Sequence, residues 1–349
     1  MEDARNTFAP APLVEVTRGS ITESRHRGHV VAVDGDGQIV ARLGAPEVIT
    51  YLRSSAKPLQ AVPLVSTGAA DRFNFTPQEI AVACGSHSGE PVHEETVAAM
   101  LRKTGLAPGA LKCGVHEPFG KEPTLELRRR GGKPRVLQNN CSGKHTGMLA
   151  LALHLGGAPE TYDQPDNPAQ LAIARTVAQF SGVSAEEIAV GIDGCGVPVF
   201  GVSVRAMALM YARLVAPPDS FDPQTRDASA RIVAAMRAHP ELVGGTRERL
   251  DTELMRAAAG VISKVGAEGV YTVGVEPSPR WPRGLGLALK IEDGEDRRAR
   301  PTVVIESLRQ LGVLDDAALE RLARYARFVV LNHRRDEVGE VRASFELRR

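Results

Sequence analysis

The sequence predicts an α+β protein: an antiparallel sheet packed with helices and accompanied by a helical lobe. Helical periodicity is concentrated in the middle of the chain and β-rich runs lie toward its two ends. The strict alternation of strand and helix that a parallel sheet requires is missing. No repeat, low-complexity block or long linker divides the 349 residues. They read as one domain over 1–349, with a loose polar, proline-bearing arm over about residues 1–12.

The elements follow in order. His29 to Val33 and Gln38 to Leu43 flank Asp34-Gly35-Asp36-Gly37, two β-rich runs around a glycine turn, which predicts a hairpin. A helix starts near Ser54 and runs through Leu59, Val62 and Leu64, with Pro58 in its first turn, where a missing N–H costs nothing. Thr76-Pro77-Gln78-Glu79 is a capping box with proline at the first helical position. Glu94 to Lys103 is a helix stopped by Gly105, and Gly143 to Leu155 another, stopped by Gly156 and Gly157. Pro168 to Phe180 is helical. Ile188 to Ile192 reads as a short buried strand ending in Asp193-Gly194-Cys195-Gly196. Helices are expected near Val204 to Leu214 and Thr225 to Ala238, antiparallel strands at Gly269 to Val275 and Gly284 to Ile291. Two late helices, near Val303 to Leu311 and Asp316 to Arg327, precede a final strand around Val338 to Phe345.

The formal charge is +1 and 43% of residues are hydrophobic. There is no basic stripe to call for nucleic acid and no strong net charge to call for a membrane surface. No run approaches the roughly 20 apolar residues of a membrane span. Met1-Glu2-Asp3-Ala4-Arg5 is charged at once, unlike a secretory signal. The four cysteines, Cys84, Cys113, Cys141 and Cys195, lack disulfide-framework spacing, so free thiols or metal ligands are expected in a cytoplasmic protein.

Of the 43 basic residues only eight are lysines. Arginine stays protonated in proteins, whereas a desolvated lysine becomes a neutral amine able to act as base or ligand. Three lysines lie in polar, glycine-punctuated or serine-rich segments. Ser54-x-x-Lys57 is the only Ser-x-x-Lys of the chain; on a helix residues three apart share a face, so Lys57 would reach the Ser54 hydroxyl. Alone, this pattern more often marks a helix-capping serine before a surface lysine. Gly85-Ser86-His87-Ser88-Gly89-Glu90 adds hydroxyls between glycines that allow close backbone approach, although such a turn also simply joins helices. Lys264-Val265-Gly266, meaningless by itself, completes the order found in Ser-x-x-Lys acyl-transfer enzymes. Cys141-Ser142-Gly143-Lys144-His145 and Asp193-Gly194-Cys195-Gly196 put two cysteines in glycine-rich turns, either buried thiols or the start of a zinc site. Chemistry alone nominates His145 as the third ligand, since lysine must first lose a proton.

Together these segments resemble the inducible, metal-dependent, rhizobial-type class 3 L-asparaginases, from about residue 15 to the C-terminal region. The resemblance rests on Arg53-Ser54-x-x-Lys57-Pro58, Ser86-His87-Ser88-Gly89-Glu90, Asn140-Cys141-Ser142-Gly143-Lys144-His145, Asp193-Gly194-Cys195-Gly196-Val197-Pro198 and Lys264-x-Gly266. It implies a serine β-lactamase- and glutaminase-like fold, a homodimer, and hydrolysis of L-asparagine to L-aspartate and ammonia. It also implies a Zn2+ site on Cys141, Lys144 and Cys195, which leaves His145 to the metal water or the substrate. The expected catalytic set is Ser54, Lys57, Ser86 and Lys264, with Ser55 as an adjacent hydroxyl that obscures the register. Arg53 and Asp193 match the charges of the substrate's α-carboxylate and α-ammonium. The rival readings are a glutaminase or another serine amidohydrolase of that fold, and a non-catalytic zinc-stabilised binding protein.

Overall fold

The hairpin expected around Asp34 is present in the computed structural model, which describes residues 9–349. Strands Ile21–Asp34 and Ile39–Leu43 pair antiparallel, with Val30 opposite Leu43. Asp34 Oδ1 accepts the N–H groups of Asp36 and Gln38 at 3.0 Å each, and Gly37 takes the φ of 81° that a side chain disfavours. Contacts divide the chain into two compact units, one made of the residues up to Ser55 with Val202–Ala216 and Leu254–Arg349, the other of Ala56–Gly201 with Pro217–Glu253.

The first unit is built on an eight-stranded sheet. Its order is Phe328–Leu331, Glu337–Ala343, Ala11–Arg18, Ile21–Asp34, Leu285–Ile291, Val270–Val275, Val261–Val265, with Ile39–Leu43 also on Ile21–Asp34. The pairings are antiparallel. Strand Ile21–Asp34 is 14 residues long, enough to pair Ala11–Arg18 along its first half and Ile39–Leu43 along its second. The second half, Val30 to Val33, is buried on both faces and is accordingly a continuous apolar run. Helix Val204–Val215 packs on this part of the sheet. A Cβ at Gly286 would run into the backbone carbonyl of Ala208, so the strand meets the helix without an intervening side chain. Helix Ala299–Gln310 also packs on the sheet.

Strands Ala11–Arg18 and Phe328–Leu331 were not expected. They are specified by long-range pairing, Val14 with Ala343 and Phe328 with Val341. Of the loose arm expected over 1–12, residues 1–8 lie outside the described residues, and Ala11 already opens a strand. The late helix expected over Asp316 to Arg327 is broken at Leu322 into Asp316–Arg321 and Ala323–Ala326.

The second unit is mainly helical. Helix Lys57–Ser66 is buried from Lys57 to Val65, and Ser142–His154, Pro168–Ser181 and Pro223–Ala238 pack around it. A helix buried on every side is a core helix, and here the burial takes in the polar side chains of Lys57 and Gln60. The Thr76 capping box forms as written: Thr76 N–H donates to Glu79 Oε2 at 2.7 Å, and Glu79 N–H to Thr76 Oγ1 at 3.4 Å. Helices Pro77–Ala83, Pro91–Thr104, Pro168–Ser181 and Pro223–Ala238 all begin on proline. Gly105 ends the second of these with φ 74°. Strand Ala189–Ile192 is where it was expected, but it is not buried: Val190 and Ile192 are 56% and 68% exposed. It is one arm of a hairpin with Pro198–Ser203, and the burial falls on that partner instead. Among the described residues no helix is long and apolar enough to cross a membrane.

Candidate active site

Lys57 is the first residue of its helix and is 1% exposed. Its Nζ lies 2.7 Å from Gly85 O, 3.2 Å from Asn140 O and 2.9 Å from Ser86 Oγ. The two carbonyls can only accept. A neutral amine has two N–H groups and one lone pair, so two N–H groups donated to the carbonyls leave the lone pair facing the Ser86 hydroxyl. Burial pulls the Lys57 pKa down, against the nearby Cys141 sulfur, which pulls it up. This arrangement suits a base that removes the proton of Ser86.

Ser86 sits in the turn after helix Pro77–Ala83, where the backbone leaves helical geometry and its polar groups need other partners. Two buried histidines follow, His87 and His93, stacked with ring centroids 4.8 Å apart. Gly89 N–H donates to His87 Nδ1 at 3.2 Å, which puts the ring proton on Nε2. That Nε2–H donates to Ser142 Oγ at 2.9 Å, while the Ser142 hydroxyl donates to Leu137 O at 3.0 Å. The pair thus runs opposite to a nucleophile and its base, and burial holds His87 well below its ordinary pKa. His87 is a neutral scaffold residue.

Cys141 precedes helix Ser142–His154, and Lys144 stands one turn inside it on the same face. Cys195 is carried by the turn from Asp193 to Val197 of the hairpin. There Asp193 N–H donates to Val197 O, Gly196 N–H to Asp193 O, and Gly196 takes φ 88°. The three side chains converge: Lys144 Nζ donates to Cys195 Sγ at 2.9 Å, and the two thiols hydrogen-bond to each other. The hydrogen bond from Cys195 holds the Cys141 pKa well below its ordinary value against burial, with help from the Lys144 ammonium, leaving the remaining proton on Cys195. A thiolate at a helix start gains further from the helix dipole. Burial pulls Lys144 down, but the two sulfurs outweigh it and raise its pKa. Two sulfurs and an amine that meet from two elements form a donor set suited to zinc. Among the described residues no group of three His, Cys, Asp or Glu side chains is placed to hold a metal, so such a site needs the lysine. Cys113, buried with its thiol pushed up to about 12 by burial, stays a packed thiol.

His145 is fully buried, its Nδ1 2.7 Å from Tyr162 Oη. Tyr162 Oη accepts the Lys112 N–H at 2.8 Å and so has its own proton for His145. Among the described residues His145 Nε2 has no hydrogen-bond partner. Asp193 is half-buried, with Oδ1 accepting Gly194 N–H at 2.8 Å and Oδ2 3.9 Å from Cys195 Sγ.

The other expected residues belong to the first unit. Arg53 has a positive φ of 51°, strained for a side chain of its size, and its guanidinium lies 3.7 Å from Glu268 Oε1. Ser54 is half-buried in the 3-10 turn Arg53–Ala56, and the Ser55 hydroxyl is given to Leu52 O at 2.7 Å. Lys264 is buried on strand Val261–Val265, a terminal strand of the sheet, with Nζ 3.0 Å from Val265 O.

Several contributors escaped the sequence reading. Asn140 supplies a carbonyl to Lys57, and its own Oδ1 lies 3.0 Å from His116 Nε2. Asn139 ties Cys141 N–H (2.8 Å) and donates to Cys113 O (2.9 Å). Tyr162 and Arg249 are the others. Backbone acceptors leave no mark in a motif, and Arg249 is signalled only by the glycine pair Gly244-Gly245 shortly before it.

Residues 14–343 match the family described as L-asparaginase II. The chain belongs to that family. It is therefore an amidohydrolase with a small-molecule substrate, and the asparaginase resemblance of the sequence is met over nearly the whole chain. No curated protein matches it at a significant level. Among solved structures, a probable glutaminase from Bacillus subtilis complexed with 6-diazo-5-oxo-L-norleucine is 14% identical, with TM-score 0.39 over 82% of this chain and 85% of that one. A Bacillus glutaminase crystallised in 4.3 M NaCl is also 14% identical, with TM-score 0.38 over 82% of this chain and 91% of that chain.

Proposed function

We propose that this chain hydrolyses L-asparagine to L-aspartate and ammonia through a serine acyl-enzyme. The observation that carries the proposal is the contact of Lys57 Nζ with Ser86 Oγ at 2.9 Å, with both N–H groups of the neutral amine already held by carbonyls. Lys57 takes the Ser86 proton as Oγ attacks the side-chain amide carbon. The C–N bond then breaks and the leaving nitrogen receives that proton from Lys57, departing as ammonia. Water attacks the resulting β-aspartyl ester, gives a proton to Lys57, and Ser86 regains it as aspartate leaves. The half-buried carboxylate of Asp193 is suited to the substrate's α-ammonium.

Cys141, Lys144 and Cys195 would hold zinc. Bound there, it supplies a fixed positive charge and joins the helix start to the hairpin turn. The homodimer implied by the resemblance and the cytoplasmic location expected from the sequence remain part of the proposal, and sedimentation of the purified chain reads the first. One methylene separates asparagine from glutamine and changes discrimination by about 1–3 kcal/mol, so the substrate is decided by measurement. Ammonia release from each amino acid is the test. A kcat/KM for asparagine at least tenfold that for glutamine supports the reading; the reverse ratio assigns a glutaminase, and no release from either leaves a binding protein.

A further inference from the structure

We propose that Arg249 is a positioning residue for Ser86: its guanidinium fixes the peptide that carries the nucleophilic hydroxyl. The inference rests on Ser86 as nucleophile and concerns what holds it still.

The segment from Leu242 to Arg249 lies against the Ser86 turn. A Cβ at Gly85 would come within 2.6 Å of Leu242 O and 3.1 Å of Val243 O, and one at Gly245 would collide with the Ser88 side chain. At Gly85 the obstacle is backbone, so only glycine there lets the two chain segments approach so closely; at Gly245 glycine leaves room for the Ser88 side chain. Ser86 N–H donates to Val243 O at 2.8 Å. Arg249 closes the arrangement: Nη2 donates to Ser86 O at 2.8 Å, and Nη1 to Ser88 Oγ at 3.0 Å and to Gly244 O at 2.9 Å. Ser88 Oγ donates in turn to Gly244 O at 3.1 Å. Asp251, itself buried, lies 3.5 Å from Nη2.

The two carbonyls flanking the Ser86 Cα are therefore both held by basic side chains. Gly85 O is held by Lys57 and Ser86 O by Arg249. With its N–H taken by Val243, Ser86 has its adjoining peptide groups fixed. Charged donors make the stronger hydrogen bonds, and a planar guanidinium serves several acceptors in one fixed geometry, which an ammonium cannot copy. Arg249 directs these donors at the protein's own backbone and hydroxyl, so its part is to hold the turn. Misplacing a reacting atom by about 1 Å costs on the order of a hundredfold in rate. That is the scale on which its loss should be felt.

The test uses Arg249→Ala and Arg249→Lys in the full chain. Steady-state kinetics with asparagine are paired with labelling by a diazo-ketone analogue of asparagine and with thermal melting. In Arg249→Ala, kcat should fall by roughly 10- to 100-fold with KM changed less than about threefold. The labelling rate should fall by the same factor, and added guanidinium ion should restore part of it. Arg249→Lys keeps a charge beside Asp251 but lacks the fork; it should fold and still lose at least about tenfold in labelling rate. Mass mapping of the label in the unsubstituted protein separates the two claims: label away from Ser86 brings down the nucleophile assignment, whatever Arg249 does. With the label on Ser86, a folded Arg249→Lys protein with unchanged kcat and labelling rate overturns the positioning role. A rise in KM alone, with the labelling rate intact, overturns it too.

Discussion

Lys57 Nζ lies 2.9 Å from Ser86 Oγ although 29 positions separate the two residues in the chain. The contact joins the start of a buried helix to a turn between two others, and both sides are pinned: Lys57 by two carbonyls, one of them Gly85 O in the Ser86 turn itself, and Ser86 by Val243 and Arg249. A base and a hydroxyl held in this way meet the first requirement of nucleophilic catalysis, which is distance before pKa.

Ser86→Ala and Lys57→Met should each lower kcat by about a thousandfold or more, and the double variant should be little worse than either, since residues acting as a unit are not additive. Ser54→Ala is the informative companion. Retained turnover in Ser54→Ala with loss in Ser86→Ala assigns the nucleophile to Ser86; the opposite pattern moves it to Ser54 and makes Ser86 a relay.

Purified without chelator, the protein should carry one zinc per chain by elemental analysis. Cys141→Ser, Cys195→Ser and Lys144→Met should each lower bound zinc by at least about tenfold, because a three-residue donor set has no ligand to spare. Full zinc in Lys144→Met would remove the lysine from the ligand set.

Stability should fall on acidification below about pH 6.5, the ordinary histidine pKa. Burial lowers the pKa of both His87 and His93 in the folded state. Above pH 6.5 neither state is protonated and these residues give no pH dependence. Below it the unfolded chain takes up protons that the fold refuses, so stability drops toward the depressed folded values, by at most about 1.4 kcal/mol per pH unit for each histidine. Urea denaturation at pH 7.5 and pH 5 measures the slope, and His93→Gln should flatten it. Equal stability at the two pH values would show that the rings are not held neutral.

Gly286→Ala should cost about 1–3 kcal/mol in thermal or urea unfolding, because the new Cβ meets the Ala208 carbonyl, which is backbone and has no rotamer to escape into. Gly68→Ala, where a Cβ meets nothing within 4 Å but φ is 83°, isolates backbone strain from packing. A Gly286→Ala protein as stable as the parent would mean that the helix slides on the sheet.

What the sequence disclosed follows the range of the interaction. The Thr76 capping box, the Gly105 stop and the Asp34 hairpin are complete within a few residues, so their signals are local and were legible. The site was legible as a set of segments rather than as contacts. Spacing joined Lys57 to Ser54, whereas the fold brings its amine to Ser86, a contact that depends on how two helices pack. Arg249 reaches Ser86 across 163 positions, and no periodicity encodes that. Strand Ala189–Ile192 misled for a related reason: an apolar strand does not state which of its neighbours will cover it, and Pro198–Ser203 took the buried place.

Lys57, Lys144 and Lys264 are at most 4% exposed, while Lys103, Lys112, Lys121 and Lys133 stand at the surface. A chain this poor in lysine thus offers amine-directed coupling few handles, and none of the exposed ones belongs to the chemistry. Attachment to an aldehyde- or ester-bearing support would fall first on Lys121 and Lys133, because the exposed Lys103 and Lys112 are engaged by Glu79 and Asp163. Coupling of that kind leaves the three buried amines untouched.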